Sequence, residues 1–243
     1  MSKKTINQKT NYHVELISSI GFNFIFDENP INRLKNTTND LKIENSVNED
    51  NKKKELAQLK IEINSIEDCS LKNNSKKIIL GDGNINSSIM LIGEAPGIEE
   101  DSTGVTFAGD VGALLNKMLV AINIKRENIY STYAVNFRPP EDRKPTSIEI
   151  KRYSQFLQKH ISIISPKIII LMGSTAMEAL TGLNRRISAE RGKWKEVIVK
   201  NKNYNVIITF NPSYLLRVPE NKKYSWVDLK KIRQKVADLN LNI

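Results

Sequence analysis

The sequence predicts an α/β fold, a three-layer α/β/α arrangement on a mostly parallel central sheet. Three observations predict it. Short, largely apolar runs at 89–92, 167–172 and 206–210 end at glycine or at Asn211-Pro212, as strands buried on both faces do. Longer segments with helical spacing lie between them. The two kinds alternate, and a strand–helix–strand order closes most readily as a parallel sheet covered on each side.

Taken in order, residues 12–25 place Val14, Leu16, Ile17 and Ile20 at helical spacing, and Gly21 ends that helix. A turn with Pro30 follows. Residues 34–54, rich in Asn, Thr, Lys and Asp, read as a flexible linker between a helical extension (1–33) and the main domain (55–243). Helical spacing resumes at 55–66. Strands are expected at 78–80, 89–92, 129–135, 167–172 and 206–210. Helices are expected at 113–122, 147–164 (capped by Thr146 or Ser147), 175–180 and 228–239. Arg138-Pro139-Pro140 cannot continue the strand before it.

The chain has 243 residues, enough for one α/β domain plus an extra segment, and 40% are hydrophobic. Lys and Arg number 37 against 27 acids, a net charge of +10. The first 75 residues hold 11 of each sign, so the whole excess lies in residues 76–243. A basic globular part fits a polyanionic partner, although charge alone is equally read as solubility. Cys69 is the only cysteine, so a disulfide framework and a cysteine-based metal site are both excluded. The first ten residues are polar and no apolar run approaches the roughly 18 residues that span a bilayer. A cytoplasmic protein without a membrane partner is expected.

Ligands of open parallel sheets bind beyond the carboxyl ends of the strands, and three loops fall there. Gly93-Glu94-Ala95-Pro96-Gly97 is followed by Glu99-Glu100-Asp101, three acids in a basic protein. Gly104-Val105-Thr106-Phe107-Ala108-Gly109 sets an aromatic ring among small residues, suited to stacking on a base. Asn211-Pro212-Ser213-Tyr214-Leu215-Leu216-Arg217 offers an amide at a strand end, helix N–H groups and a cation for phosphate. Taken singly, each has a plain structural reading: a solvated acidic turn, a ring tucked under its loop, a helix start.

Together, these loops and Arg138-Pro139-Pro140-Glu141-Asp142-Arg143-Lys144-Pro145-Thr146 resemble, in order and spacing, the motifs of family 4 uracil-DNA glycosylases. The resemblance runs from about Ile66 to the C-terminus, and the tail containing Trp226-Val227-Asp228-Leu229 is similar to longer, proteobacterial members. It implies an enzyme that extrudes a deaminated base from DNA and hydrolyses its glycosidic bond. By that resemblance Phe107 is the stacking ring and Ala95 lines the pocket. Glu94 and Glu100 hold water or stabilise the cationic sugar, and Asn211 stabilises charge on uracil O2. Ser213, Arg217, Arg138 and Arg143 meet DNA. A monomer acting on damaged DNA is expected.

The chain departs from the family in three places. The family's four iron–sulfur cysteines correspond to Ile66, Cys69, Phe137 and Tyr153, so the cluster is expected to be absent, with Phe137 and Tyr153 filling its volume. Tyr133 stands where the family has a base-reading Asn. Asn211 stands where it has His, as in the mismatch-specific branch. Of the two histidines, His13 lies in the extension and His160 reads as a surface residue. The alternative to a working glycosylase is a catalytically silent DNA-binding protein on the same fold.

Overall fold

The computed structural model describes residues 39–67 and 69–241. The chain divides into two units, Met1–Asn45 and Ser46–Ile243, and the architecture below is that of the second. The helix expected at 12–25 and the turn at Pro30 lie outside the described residues. Helix α1 spans Asn39–Asn64. The expectation of a linker at 34–54 is therefore corrected from Asn39 onward. Leu56, Leu59 and Ile63, in its C-terminal turns, are buried in the core. Lys52 anchors it as well, donating to the carbonyls of Ile85 (3.1 Å) and Ile164 (3.2 Å).

After the short α2 (Ser70–Asn74) come β1 (Asp82–Gly83), β2 (Ile89–Gly93), α3 (Ile98–Thr103), α4 (Gly109–Val120) and β3 (Tyr130–Tyr133). Then follow α5 (Ser147–Ile164), β4 (Ile168–Met172), α6 (Ser174–Thr181), α7 (Ile187–Glu190), β5 (Trp194–Val199), β6 (Lys202–Thr209), α8 (Pro212–Arg217) and α9 (Lys222–Asp238). The six strands form one sheet in the order β1-β3-β2-β4-β6-β5. The four central strands are parallel, and β1 and β5 are antiparallel edges. Side-chain alternation splits the core. Met90, Ile92, Ile169 and Leu171 pack with α1, α5 and α6; Ile89, Leu91, Ile168 and Ile170 pack with α4, α8 and α9.

Two elements differ from expectation. Residues 78–80 form no strand, because side chains take the carbonyls a ladder would use. Asn136 Nδ2 donates to the Ile79 carbonyl at 2.9 Å and Thr132 Oγ1 to that of Leu80 at 2.5 Å. Strand β5 was not anticipated. It joins β6 through Lys200-Asn201, both with positive φ (45° and 65°), as a two-residue hairpin turn of right-handed twist requires.

His160 is not a surface residue. Its neighbours one turn away, Leu157 and Ile164, are buried, and His160 is 2% exposed. Its Nε2 lies 2.9 Å from the Tyr130 hydroxyl and its Nδ1 3.5 Å from Thr132 Oγ1. Burial pulls its pKa from 6.5 down to about 3. The unfolded chain thus takes up a proton that the folded chain refuses between these values. This contribution to stability is complete above pH 6.5 and is lost as pH falls through the window. Glu149, held near 2 chiefly by Arg143, adds acid sensitivity only below its ordinary 4.5. Unfolding free energy should fall by about 2 kcal/mol between pH 6.5 and 5, at ~1.4 kcal/mol per pH unit. Chemical denaturation of His160→Gln should show a flat profile over that interval, and an equal slope in both proteins would disprove the assignment.

Candidate active site

The carboxyl ends of β2, β3, β4 and β6 open into a cleft of about 1250 Å³, lined by the loops singled out from sequence. Glu94 follows β2. Its Oε1 accepts the Thr175 N–H at 3.0 Å and the Ser174 hydroxyl at 3.3 Å, both in the first turn of α6. Both donors lie at the positive end of that helix, which draws a carboxylate oxygen toward it. Gly173 permits the approach: its φ is +106°, and a Cβ there would run into the Glu94 side chain. Across the cleft Asn211 caps α8, its Oδ1 accepting the Ser213 N–H at 3.0 Å. Its Nδ2 then points at Glu94 Oε2, 3.3 Å away. A half-exposed carboxylate and an amide donor thus face each other from the ends of β2 and β6, across the end of β4.

Glu100 is different. It is 6% exposed, and both of its oxygens are engaged. Oε2 accepts the Gly97 N–H at 2.9 Å; Oε1 accepts the Ala108 N–H at 3.0 Å and the Tyr133 hydroxyl at 3.3 Å. Asp101 is also buried and structural, accepting Ser75 Oγ at 2.6 Å and the Lys76 N–H at 2.8 Å. Of the acids in this loop, Glu94 alone faces Asn211.

Phe107 lines the cleft but is 5% exposed, not an open platform. The Tyr133 ring lies against it, with centroids 5.1 Å apart and planes at 36°. The Arg126 guanidinium sits 5.6 Å from its centroid. Phe107 also takes a left-handed backbone, φ 49°, which costs a side-chain-bearing residue about 1–3 kcal/mol and needs its surroundings to hold it. Tyr133 does part of that, accepting the Phe107 N–H at 2.8 Å. Gly93 lets both rings in, since a Cβ would meet Tyr133 at 2.7 Å and Phe107 at 2.8 Å. Burial, then the neighbouring Glu100 charge, pushes the phenol well above its usual pKa, so it stays a neutral donor.

The basic rim differs from expectation at one position. Arg217 and Ser213 line the cleft, and so does Arg143, whose guanidinium grips Glu149 at 2.7 and 2.9 Å beside the start of α5. Arg138 does not line it: its guanidinium is turned onto Asp142 at 2.7 and 3.0 Å, an i,i+4 partner that the sequence displays. Sequence reasoning missed Arg185, Arg186, Arg191 and Tyr224, all on the cleft. The adjacent Arg185-Arg186 after Gly182 was the available signal. Arg191 lay hidden because its partners are remote. It bridges Asp228 at 2.6 and 3.0 Å and lies over the rings of Phe210 and Tyr224.

The four positions matching the family's cluster ligands meet in one core. Cys69 Sγ is 3.3 Å from the Tyr153 hydroxyl, the Phe137 and Tyr153 rings meet edge-on at 6.4 Å, and Ile66 packs against the same side. Phe137 and Tyr153 are 2% and 0% exposed. One thiol among four positions does not fit a tetrathiolate cluster.

Residues 80–233 match the uracil DNA glycosylase superfamily, and the chain belongs to it. Within that superfamily its similarity is to type-4 members. It is 39% identical over 155 residues to the type-4 uracil-DNA glycosylase of Thermotoga maritima, covering 63% of this chain and 79% of that one. It is 34% identical over 175 residues to that of Archaeoglobus fulgidus (70% and 88%) and 35% over 187 residues to that of Sulfurisphaera tokodaii (74% and 84%).

Removing the phenol oxygen strips the buried Phe107 N–H of its acceptor. Tyr133→Phe should therefore lower stability by about 1–3 kcal/mol although no ring is lost. An unchanged thermal midpoint would show that the hydroxyl holds nothing.

Proposed function

We propose that this chain is a DNA glycosylase of base excision repair that hydrolyses the N-glycosidic bond of uracil or a related deaminated base. The observation that carries this reading is the Glu94–Asn211 pair at 3.3 Å on the floor of a cation-rimmed cleft. Arg217, Arg185 and Arg186 would take the phosphates of a strand whose nucleotide is turned into the cleft. As the C1′–N1 bond breaks, positive charge grows on the sugar and negative charge on the base. Glu94 stabilises the first and accepts the proton of the water that adds to C1′. Asn211 Nδ2 donates to the base oxygen that gains the second; the base leaves as an anion and takes a proton from solvent, while Glu94 returns to solvent the one it accepted. Glu100 serves by shaping the pocket. Among the described residues no helix is long and apolar enough to cross a membrane, and a cytoplasmic monomer belongs to the same reading. So does a main domain that is distinct from the N-terminal segment.

Tyr133 bears on how strong this activity is. It covers the ring on which a base would stack and takes the place of an amide that would read the base edge. This favours weak or altered excision, and at the limit the silent DNA-binding reading. The test is single-turnover release from a uracil-containing oligonucleotide, read by alkaline strand cleavage. Glu94→Gln should abolish release. Tyr133→Asn with Asn211→His should raise it by more than the product of the two single effects, because both groups meet one base. Binding without cleavage in the native chain would establish the silent reading. A native rate that the double variant lowers would make Tyr133 a working part of the pocket.

The same reading includes a protein without an iron–sulfur cluster, the core around Tyr153 standing in its volume. Protein purified without oxygen should be colourless and carry no stoichiometric iron, and a brown protein with about four irons per chain would refute this.

A further inference from the structure

Helix α9 carries a feature that the cleft does not use. Its buried side is Ser225, Asp228, Leu229 and Ile232. Lys222, Trp226, Lys230 and Arg233 follow at spacings of four, four and three, and therefore share one exposed flank, with Lys223 beside them. No acid lies on that flank. Of the helix's two acids, Asp228 is buried against Arg191 and Asp238 lies at the far end, bonded to Gln234. None of Lys222, Lys230 and Arg233 pairs with a carboxylate among the described residues. A helix face kept for solubility usually interleaves the two signs. This one places a 42%-exposed Trp226 amid cations.

The flank begins at the cleft, because Asn221 and Tyr224, at the start of α9, line it. From Lys222 to Arg233 it runs about 17 Å at ~1.5 Å per residue, the length of roughly five base pairs at ~3.4 Å each. We propose that this flank of α9 is a second DNA-contact surface, which holds the duplex flanking the turned-out nucleotide. Its lysines and Arg233 meet phosphates and Trp226 packs against sugar or an exposed base. This rests on the glycosylase reading only in taking DNA as partner, and charge complementarity selects duplex DNA over an apolar protein face.

The experiment compares binding, by fluorescence anisotropy at low temperature, of GC-rich duplexes of about 6 and about 30 base pairs with a central uracil, over a salt series, since the shorter one ends before it reaches Lys230 and Arg233. Lys230→Glu with Arg233→Glu should weaken the long duplex at least tenfold, lower its salt slope by about two, and leave the short duplex within about twofold. Trp226→Ala should weaken the long duplex severalfold with the slope unchanged. Thermal midpoints monitor folding, and Lys230→Gln with Arg233→Gln replaces the reversal pair if that pair does not fold. Unchanged affinity and slope on the long duplex, or equal losses at both lengths, would overturn the proposal. Native protein that binds neither duplex would overturn the DNA reading itself, whereas native binding that the variants match overturns this surface alone.

Discussion

Glu100 is buried, at 6% exposure, and three donors converge on its carboxylate. Gly97 belongs to the first strand-end loop, Ala108 to the second and Tyr133 to the end of β3. A buried carboxylate left without donors is costly, so these bonds are made together or the loops come apart. Through them the left-handed turn at Phe107 is held and Tyr133 is drawn across its ring. The position of Glu94 depends on this indirectly. With the first loop pinned at Gly97, the chain leaves β2 in a direction that brings Glu94 over the first turn of α6. One buried acid thereby frees another to face the cleft.

Much of the fold was legible because burial on both faces writes a simple pattern. The runs at 89–92, 168–172 and 206–208 are wholly apolar and buried, and the helices between them show one apolar face. What escaped was whatever depends on one face or on distant partners. Strand β5 is an edge whose outward residues, such as Lys195 and Glu196, break the apolar run, and its pairing was signalled only by Lys200-Asn201. The first half of α1 carries no apolar stripe, so its polar composition read as a linker. His160 was misread because its partners, Tyr130 and Thr132, sit about 30 positions away.

The site was legible in outline and not in detail for the same reason. Motif order placed Glu94, Phe107, Asn211 and Arg217 on one cleft. It could not show that Glu100 is consumed by backbone donors, nor that the Tyr133 ring lies on Phe107, since the two are 26 positions apart. Arg138 is the instructive exception. Asp142 stands four residues on and takes the Arg138 guanidinium in a two-point hydrogen bond, and Arg138 is not among the residues that line the cleft.

In the proposed reaction, Asn211 serves both fold and chemistry. An amide has two unlike ends, and here the fold chooses between them. The oxygen must face the Ser213 N–H, because a helix N-terminus offers donors and no acceptor. The nitrogen is then forced toward Glu94 and the cleft, with no freedom left to flip. The residue gives up the positive charge a histidine can carry. In exchange its donor is aimed before any ligand arrives, so little reorganisation is needed when charge develops beside it. A neutral donor held in this way suits a base anion that is already stabilised by its own ring. In that proposed reaction the demand falls on Glu94 and on whether Tyr133 admits the base.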